Sequence, residues 1–225
     1  SIAINIVGMS TYINGISFEK NGIGDLDSDI ANSIQVIGGQ NDVVKIENSN
    51  FSQNNNFRIT LINGQGSITE SNFVKNRSDQ GVLQLYGREH KVYNSKFERN
   101  ELGSVGLIFV HSDVTLTDSY VVHQYYNYER VETGIPYYSF SLYGESVRVP
   151  TFEEYIPDFV DPSEIRRALR FKQTYFEHSM RDRRDESTII GFYGLESDSP
   201  IVEFERFEEG LNTLDCFWDG RTLCR

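Results

Sequence analysis

The sequence predicts a mainly-β protein, with a parallel β-helix of about five coils over residues 1–127 and a C-terminal α+β cap over residues 128–225. Three observations predict this fold. A nine-residue phrase recurs through the first half at regular spacing, a second strand-like segment lies between successive copies, and both patterns stop near residue 127. Repeats with a period of roughly 20 to 50 residues are typical of solenoids and related architectures.

Composition restricts the class of protein further. The 225-residue chain carries a net charge of −12, and its 15 Phe and 13 Tyr residues are typical of a folded protein. The negative charge disfavours nucleic acid, which binds to basic surfaces, and also anionic lipid. No apolar run approaches the roughly 20 residues of a membrane-spanning helix. The chain starts at Ser1 without a signal segment, so we expect either a removed leader or an excerpt of a longer protein.

The repeated phrase contains an aliphatic residue, a Phe five positions later and an Asn three positions after the Phe. Its four clear copies are INGISFEKN at 13–21, IENSNFSQN at 46–54, ITESNFVKN at 68–76 and VYNSKFERN at 92–100. A degenerate fifth copy, TLTDSYVVH at 115–123, has Tyr120 and His123 in the Phe and Asn places. The aromatic positions are 33, 22, 24 and 23 residues apart, and an insertion over 21–33 lengthens the first interval.

A second strand-like segment lies in each period. These segments are SIQVIGG (33–39), FRITLINGQG (57–66), GVLQLYG (81–87) and GLIFVHSD (106–113). Their apolar residues alternate and a Gly or a small polar residue follows, which is typical of a strand entering a turn. The phrase of leucine-rich repeats is absent, and propeller blades need about 40 residues or more. A parallel β-helix remains, with one coil per period.

Stacked coils place equivalent residues in columns about 4.8 Å apart. We therefore expect an interior aromatic stack of Phe18, Phe51, Phe73 and Phe97. A second column, at a turn, is expected to contain Asn21, Asn54, Asn76 and Asn100. Asn suits that place because it tolerates the left-handed backbone conformation and can hydrogen-bond to its copy one coil away. A column of small residues is expected from Ser49, Ser71 and Ser95.

The I-x-x-S-x-F-x-x-N phrase resembles the repeats of right-handed parallel β-helix proteins, the pectate-lyase-like superfamily. More narrowly, it is similar to the Asn-rich β-helix repeats of large protist surface proteins and of bacterial polymorphic outer-membrane proteins. The resemblance covers residues 1–127 and implies a right-handed β-helix at a cell surface. Polysaccharide lyases and hydrolases are the enzymes that it implies, but the NTD, double-Asp, GHG and RIK signatures of polygalacturonases are missing.

The second half begins with strand-like segments and then carries a helix signal. Asp161-Pro162-Ser163-Glu164 is typical of a helix start, with an N-cap acid, Pro at the first helical position and Glu in the first turn. The predicted amphipathic helix runs from about Pro162 to Arg181. Because the last coil of a solenoid exposes apolar surface and unpaired ladder groups, we interpret residues 128–225 as a cap. The alternative is a separate functional domain.

The two cysteines, Cys216 and Cys224, lie in the last ten residues. Their spacing fits neither a CxxC redox pair nor a zinc site. Asp219-Gly220 between them is a tight-turn signal, which predicts a hairpin over 216–224 closed by a disulfide and an oxidising compartment. The alternative is two free thiols in a frayed tail.

Enzymes that cleave polysaccharides need clustered carboxylates that act as acid and base. The nearest such constellation contains His111, Asp113, Asp118 and His123. These four residues are candidates for acid–base machinery on an outer strand face, but such a grouping also arises by chance. We therefore predict no catalytic residues beyond these candidates.

The insertion in the first period contains a candidate Ca²⁺ site. Asp25, Asp27 and Asp29 alternate along the chain, which resembles the opening of a calcium loop because alternate acids place oxygen ligands on one side. Ile30 replaces the turn Gly of an EF-hand, and Val36 stands where the bidentate Glu should be. Calcium is the one cofactor that the sequence suggests. The alternative is a solvated acidic loop.

These observations favour a non-enzymatic structural or adhesive module, extracellular or at a cell surface, within a larger surface or filament-forming glycoprotein. Asn50 and Asn76 each begin an N-glycosylation sequon. The alternative is a carbohydrate-active β-helix enzyme or a carbohydrate-binding module, with carbohydrate as the partner. Ile2, Ile4 and Ile6 alternate with no polar cap before them, so we expect self-association or further coils of the same polypeptide at this end.

Overall fold

The protein is mainly β. The computed structural model describes residues 2–22, 32–39, 41–62, 65–78, 81–102, 107–126, 138–143, 168–178, 188–193, 201–205, 208–209, 216–218 and 221–224. Within these ranges the regular secondary structure consists of strands, and no helix is present.

The strands are short and follow one another closely. The first half contains β1 (Ile2–Val7), β2 (Thr11–Asn14), β3 (Ser17–Glu19), β4 (Asn32–Ile37), β5 (Val43–Glu47), β6 (Asn50–Ser52), β7 (Phe57–Ile62), β8 (Gln65–Thr69), β9 (Asn72–Val74), β10 (Arg77–Ser78), β11 (Leu83–Tyr93), β12 (Lys96–Glu98) and β13 (Glu101–Leu102). They continue as β14 (Ile108–Thr117), β15 (Tyr120–Tyr126), β16 (Tyr138–Tyr143), β17 (Ala168–Lys172), β18 (Tyr175–His178), β19 (Thr188–Tyr193), β20 (Ile201–Glu205), β21 (Glu208–Glu209), β22 (Cys216–Trp218) and β23 (Arg221–Cys224).

The strands form two sheets, one of fourteen strands and one of nine. The first sheet follows the order β1-β4-β7-β11-β14-β16-β19-β22-β23, and the second includes the series β3-β6-β9-β12-β15. Neighbours in both series are parallel, except for the antiparallel pair β22–β23. The chain therefore passes from the first sheet to the second and returns one strand further along, as a parallel β-helix requires. We number the repeats by the strands β1, β4, β7, β11, β14, β16 and β19 that begin them.

Equivalent residues of successive repeats lie opposite each other in the first sheet. One column joins Ile13, Ile46, Ile68, Val92, Leu116 and Phe171. From Ile46 onward these side chains are at most 1% exposed. Exposed and buried residues alternate along β5, because successive side chains of a strand point to opposite faces. Each buried aliphatic side chain contributes about 1.5–3 kcal/mol to the free energy of folding.

The second sheet places phenylalanines in the interior. The rings of Phe51 and Phe73 are stacked with centroids 5.0 Å apart, and those of Phe73 and Phe97 with centroids 4.8 Å apart. Phe18 lies opposite Phe51 in the register and is partly buried. Phe57, at the start of β7, packs its ring 5.7 Å from Phe18 and 5.5 Å from Phe51. The first sheet thus supplies an aromatic residue to the end of the stack.

The first four repeats each turn two corners through residues in the left-handed backbone region. One corner residue immediately precedes the Ser column, as at Asn48 and Glu70, and the other immediately precedes the Asn column, as at Gln53 and Lys75. The expectation that the Asn residues themselves adopt this conformation is wrong. The residue before each Asn turns the chain instead, and the first repeat uses Gly15 at such a corner, with φ of 67°.

The fifth copy of the phrase is shifted by one residue from the predicted alignment. Val121 lies opposite Phe97, and Gln124 bonds to Asn100, so these two residues occupy the Phe and Asn places that we assigned to Tyr120 and His123. Val121 is fully buried and Tyr120 is 51% exposed. Strand parity decided the register here, because the column position of Phe97 is filled by Val121 while the ring of Tyr120 stays outside.

The helix predicted from about Pro162 to Arg181 is wrong over its described part. Residues 168–172 and 175–178 are the strands β17 and β18, and they pair in parallel with β14 and β15. Leu169 and Phe171 are both buried, which is the two-residue period of a strand. The edges of β14 and β15 offer a ready ladder of backbone hydrogen bonds, and this tertiary pairing overrides the local helix signal. FKQTYFEHS at 171–179 is thus a further copy of the phrase.

The parallel ladder also continues beyond residue 127. β16 pairs with β14, β19 with β16, and β22 with β19, all in parallel. The first sheet therefore contains described strands from both sides of residue 127 and extends past the five predicted copies. β23 then runs antiparallel to β22 and forms the last strand of that sheet.

Replacing Phe73 with Ala should lower the free energy of unfolding by about 3–5 kcal/mol, because it removes a fully buried ring stacked on both sides. Asn72, the preceding residue, is exposed, so Asn72→Ala should change stability by less than about 0.5 kcal/mol. Denaturant titration of the two variants measures both values. Equal losses would contradict the inward orientation of Phe73.

Candidate functional site

The four candidates for acid–base chemistry come from different parts of the fold. Asp113 lies in β14, where its carboxylate forms an ion pair with Arg170 of β17. Asp118 follows β14 at a left-handed corner, with φ of 48°. His111 lies opposite Tyr86 in the first sheet, whereas the strand that contains His123 belongs to the second. The structure therefore divides these residues between two sheets and commits Asp113 to a cation.

The calcium candidates Asp25, Asp27 and Asp29 lie outside the described residues. Within the part of the chain that the structure describes, no group of three or more His, Cys, Asp or Glu side chains is placed to hold a metal ion.

The Asn column forms a hydrogen-bonded ladder through the interior. The backbone N–H and Nδ2 of Asn54 both donate to Oδ1 of Asn76, at 3.1 and 2.8 Å. Those of Asn76 donate in the same way to Oδ1 of Asn100, at 3.0 and 3.2 Å. Nδ2 of Asn76 also donates to the carbonyl of Phe51 in the preceding repeat. Each buried amide thus joins three successive repeats.

The ladder extends one step in each direction. Asn21 donates to Oδ1 of Asn54, and Asn100 donates to Oε1 of Gln124. Every link has the same polarity, since each amide carbonyl accepts from the repeat before it. Phe18, whose carbonyl accepts from Nδ2 of Asn54, lies on the first repeat. A Gln replaces Asn at the fifth repeat without breaking the pattern.

A parallel ladder of hydroxyl groups lies at the other corner. The backbone N–H of Ser49 donates to Oγ of Ser71, and that of Ser71 donates to Oγ of Ser95, both at 3.2 Å. Each hydroxyl in turn donates to the backbone carbonyl two residues before it, as from Ser71 to Thr69. These serines are at most 1% exposed. The backbone N–H groups and the hydroxyls of these serines therefore all have hydrogen-bond partners within the chain.

Strands β1, β2 and β3, residues 2–22, form the N-terminal edge of both sheets. The apolar residues Ile4, Ile6, Ile13, Ile16 and Phe18 are only partly buried here, although their counterparts one repeat further along are fully buried. Three larger side chains are exposed, namely Val7 at 50%, Met9 at 56% and Tyr12 at 60%. The N-terminal edge thus combines an open backbone ladder with apolar surface.

Polar contacts order part of this edge. The Tyr12 hydroxyl donates to Oε2 of Glu47 at 2.8 Å and accepts from Nδ2 of Asn14 at 2.9 Å. The hydrogen bond to Glu47 raises the pKa of Tyr12 above its usual value. Asn48 also donates to Oδ1 of Asn14. These exposed side chains bind the first repeat to the second.

A histidine lies in the interior of the first sheet, which the sequence analysis did not identify. His90 is 2% exposed and stands in the column that runs through Val44, Gly66 and Val114. Its Nε2 lies 3.0 Å from the carbonyl of Tyr86, and its Nδ1 has no hydrogen-bond partner. Burial lowers the pKa of His90 from 6.5 to about 4.

Gly66 makes room for this histidine. A Cβ atom on Gly66 would overlap Nδ1 of His90 and would lie 3.1 Å from Cδ1 of Leu61. The large side chain of His90 thus occupies the space that the missing side chain of Gly66 leaves in the neighbouring repeat. The signal was present in the sequence as a Gly and a His that are separated by one period, 24 residues, at a place where the copies on either side have Val44 and Val114.

The two sequons differ in their surroundings. Asn50 is partly exposed, and its Nδ2 donates to Oε1 of Glu19 at 2.7 Å on the outer surface. Asn76 is fully buried in the ladder described above. In the last hairpin, Cys216 and Cys224 lie opposite each other in the antiparallel register of β22 and β23. The disulfide between them stays a prediction.

No protein-family model, curated protein or solved structure matches this chain. The part of the chain that the structure describes contains no helix with the length and apolar character of a membrane span.

Replacing Asn76 with Ala should lower the free energy of unfolding by at least about 2 kcal/mol. The change removes the acceptor of two buried donors on Asn54 and the donor to the Phe51 carbonyl, and each buried group left unpaired costs about 1–3 kcal/mol. Asn72→Ala, in the same repeat, is the control because Asn72 is exposed. A loss no larger than that of the control would show that the ladder contributes little.

Expression through a secretory pathway should place a glycan on Asn50 and leave Asn76 bare in folded material. A glycan on Nδ2 of Asn76 would break its bonds to Asn100 and Phe51 and could not fit a buried position. Peptide mapping of the monodisperse fraction measures both occupancies. Folded protein with a glycan on Asn76 and none on Asn50 would overturn this expectation.

Proposed function

We propose that the chain is a right-handed parallel β-helix that serves as a non-enzymatic structural or adhesive module, extracellular or at a cell surface, within a larger surface glycoprotein. The observation that carries the proposal is the N-terminal edge, where the ladders and apolar columns of the interior end in partly exposed residues. An edge of this kind is a template for pairing with another chain.

The use of the polar residues supports a structural role. The buried Asn and Ser side chains bond from one repeat to the next, and Asp113 is paired with Arg170. Outward positions follow the same column rule, as in the series Asn50, Asn72 and Lys96 of the second sheet. Side chains that repeat along an axis do not converge on one point, whereas acid–base catalysis needs groups that converge on one substrate.

The partner that we propose for the N-terminal edge is a second copy of the same edge. Ile16 occupies the Ser column in the first repeat, so a further coil in parallel register would find no hydroxyl to accept its N–H. At the opposite end β23 runs antiparallel to β22, while β20 pairs only with β17 and β21 only with β18 among the described strands. The lack of a hydroxyl at Ile16 is the feature that favours a pair of N-terminal edges over a further coil in the same register.

Charge permits this contact. The whole chain carries −12, but residues 2–22 contain only Glu19 and Lys20 as charged side chains. Two copies can therefore approach through this edge without strong like-charge repulsion, while the remaining surface repels. A symmetric contact of this kind closes after two subunits.

Carbohydrate binding is the second candidate, and one contact favours it. Tyr120 is 51% exposed, and its ring centroid lies 6.2 Å from that of Tyr175 in the neighbouring repeat. The two rings are inclined by 48°, so they do not form one flat face on which a sugar could stack. We therefore rank this candidate below the structural role.

Sedimentation of the 225-residue chain should give a dimer, with twice its mass of 25.9 kDa. Val7→Glu and Met9→Glu should shift the equilibrium to monomer, because each places a charge on an exposed apolar side chain of the edge. Tyr93→Glu is the matched control, since Tyr93 is 45% exposed in the fourth repeat. A monomeric wild type, an open series of larger species or dissociation by the control would each overturn the proposed pairing.

A further inference from the structure

We propose that His90 is the acid-sensitive element of this fold, and that its protonation opens the stacking of the third, fourth and fifth repeats. This inference does not depend on the partner of the N-terminal edge, because it concerns a residue in the interior. It rests on the position of the imidazole, on the unpaired nitrogen and on the residues that surround it.

The hydrogen bonds of His90 define its tautomer. A backbone carbonyl can only accept, so the contact of Nε2 with the Tyr86 carbonyl places the proton on Nε2. Nδ1 then carries the lone pair and faces Gly66 in the neighbouring repeat, where no donor reaches it. A second proton would have to sit on Nδ1, where it would point at the Cα of Gly66 with no acceptor.

Among the described residues, the charged groups that pack near His90 do not compensate for its burial. On its own strand, the flanking Glu89 and Lys91 form an ion pair at 3.1 Å, and Glu89 raises the pKa of His90 only weakly compared with the effect of burial. On β14, Asp113 is paired with Arg170, and β8 carries no titratable residue. On β7, Arg58 is itself a cation, and Tyr86 offers only its carbonyl. The column neighbours Val44 and Val114 are apolar.

The direction of the pH effect follows from the two protonation states. Unfolded His90 takes up a proton near pH 6.5, while in the folded chain the pKa is about 4 because burial penalises the charged ring. Between these values the unfolded state binds more protons, so stability is complete above about pH 6.5 and is lost as the pH falls toward 4. A separation of this size raises the unfolding equilibrium constant by about 300-fold.

The position of His90 localises the effect. Its strand β11 pairs with β7 and β8 on one side and with β14 on the other. A charged His90 ring would be buried without water between these strands, which destabilises the pairing of β11 with its neighbours. We therefore expect the strands to separate first around His90. An extracellular module with this property would remain closed at neutral pH and loosen on entering an acidic compartment.

Two substitutions separate His90 from the remaining histidines. His90→Val installs the residue found at positions 44 and 114 of the same column, and Gly66→Ala with His90→Val also fills the space that the imidazole leaves. Gly66→Ala alone should be strongly destabilising, because its Cβ overlaps His90, and the double variant should recover. His111, His123 and His178 are present in every variant, so their titration cancels in the comparison.

The experiment measures the free energy of unfolding by denaturant between pH 7.5 and pH 4.5 for the wild type, for His90→Val and for the double variant. We expect the wild type to lose stability steeply below pH 6.5, and the variants to lack the part of that slope that His90 supplies. Hydrogen exchange should show the earliest acid-dependent opening in peptides that cover 83–93. Equal slopes in wild type and variants would overturn the proposal.

A measurement on the wild type keeps the proposal testable whichever variants fold. The ring resonances of His90, followed by NMR, should not titrate in the folded protein until the pH falls below about 5, where unfolding begins. Titration near pH 6.5 with the fold intact would show that the interior tolerates the charged ring, and would refute the inference.

Discussion

The structure depends on one constraint, the in-register stacking of equivalent residues at the spacing of parallel strands. Parallel neighbours place Phe51 on Phe73 and Asn54 on Asn76, so one residue type satisfies the same need in each repeat. The Asn and Ser ladders are a consequence of this constraint. The backbone hydrogen bonds of the strands end at the corners. There the Asn and Ser side chains accept hydrogen bonds from buried backbone N–H groups, which would otherwise have no partner.

Stacking also explains which changes the repeat tolerates. A position in a column determines whether the side chain points inward and whether it is polar, but the residue type can differ between repeats. Val121 fills a Phe place, Gln124 an Asn place, Thr174 a Ser place and Phe171 an aliphatic place, each with the buried position of its column maintained. Volume can even be exchanged between neighbouring repeats, as the pair Gly66 and His90 shows. The cost of that exchange is an imidazole nitrogen without a partner.

The two ends of the first sheet are different for a physical reason. At the C-terminal end, the chain reverses into β23, and an antiparallel hairpin ends the parallel series. At the N-terminal end, β1 is a parallel edge strand, and the apolar columns reach the surface through Ile4, Ile6 and Phe18. In the Asn ladder, the side-chain carbonyl of each Asn accepts hydrogen bonds from the repeat before it. Asn21, the first member among the described residues, has no earlier repeat to donate to its carbonyl. Among the described residues, the hydrogen-bonded columns therefore end at the first repeat.

The sequence by itself determined the parts of the fold that depend on local repetition. The spacing of Phe51, Phe73 and Phe97, and the Asn three positions after each, was sufficient to place both columns, because a period of 22–24 residues stacks like on like. Only the tertiary structure decided the fold of the segments whose sequences depart from the repeated phrase. Tyr120 or Val121 could fill the fifth aromatic place by composition, and burial selected Val121. Residues 168–178 satisfy a helical period and a strand period equally well, and the exposed edges of β14 and β15 selected the strand. The contact of His90 with Gly66 lay beyond sequence reasoning for the same reason, since a residue's neighbour one repeat away exists only once the register is set.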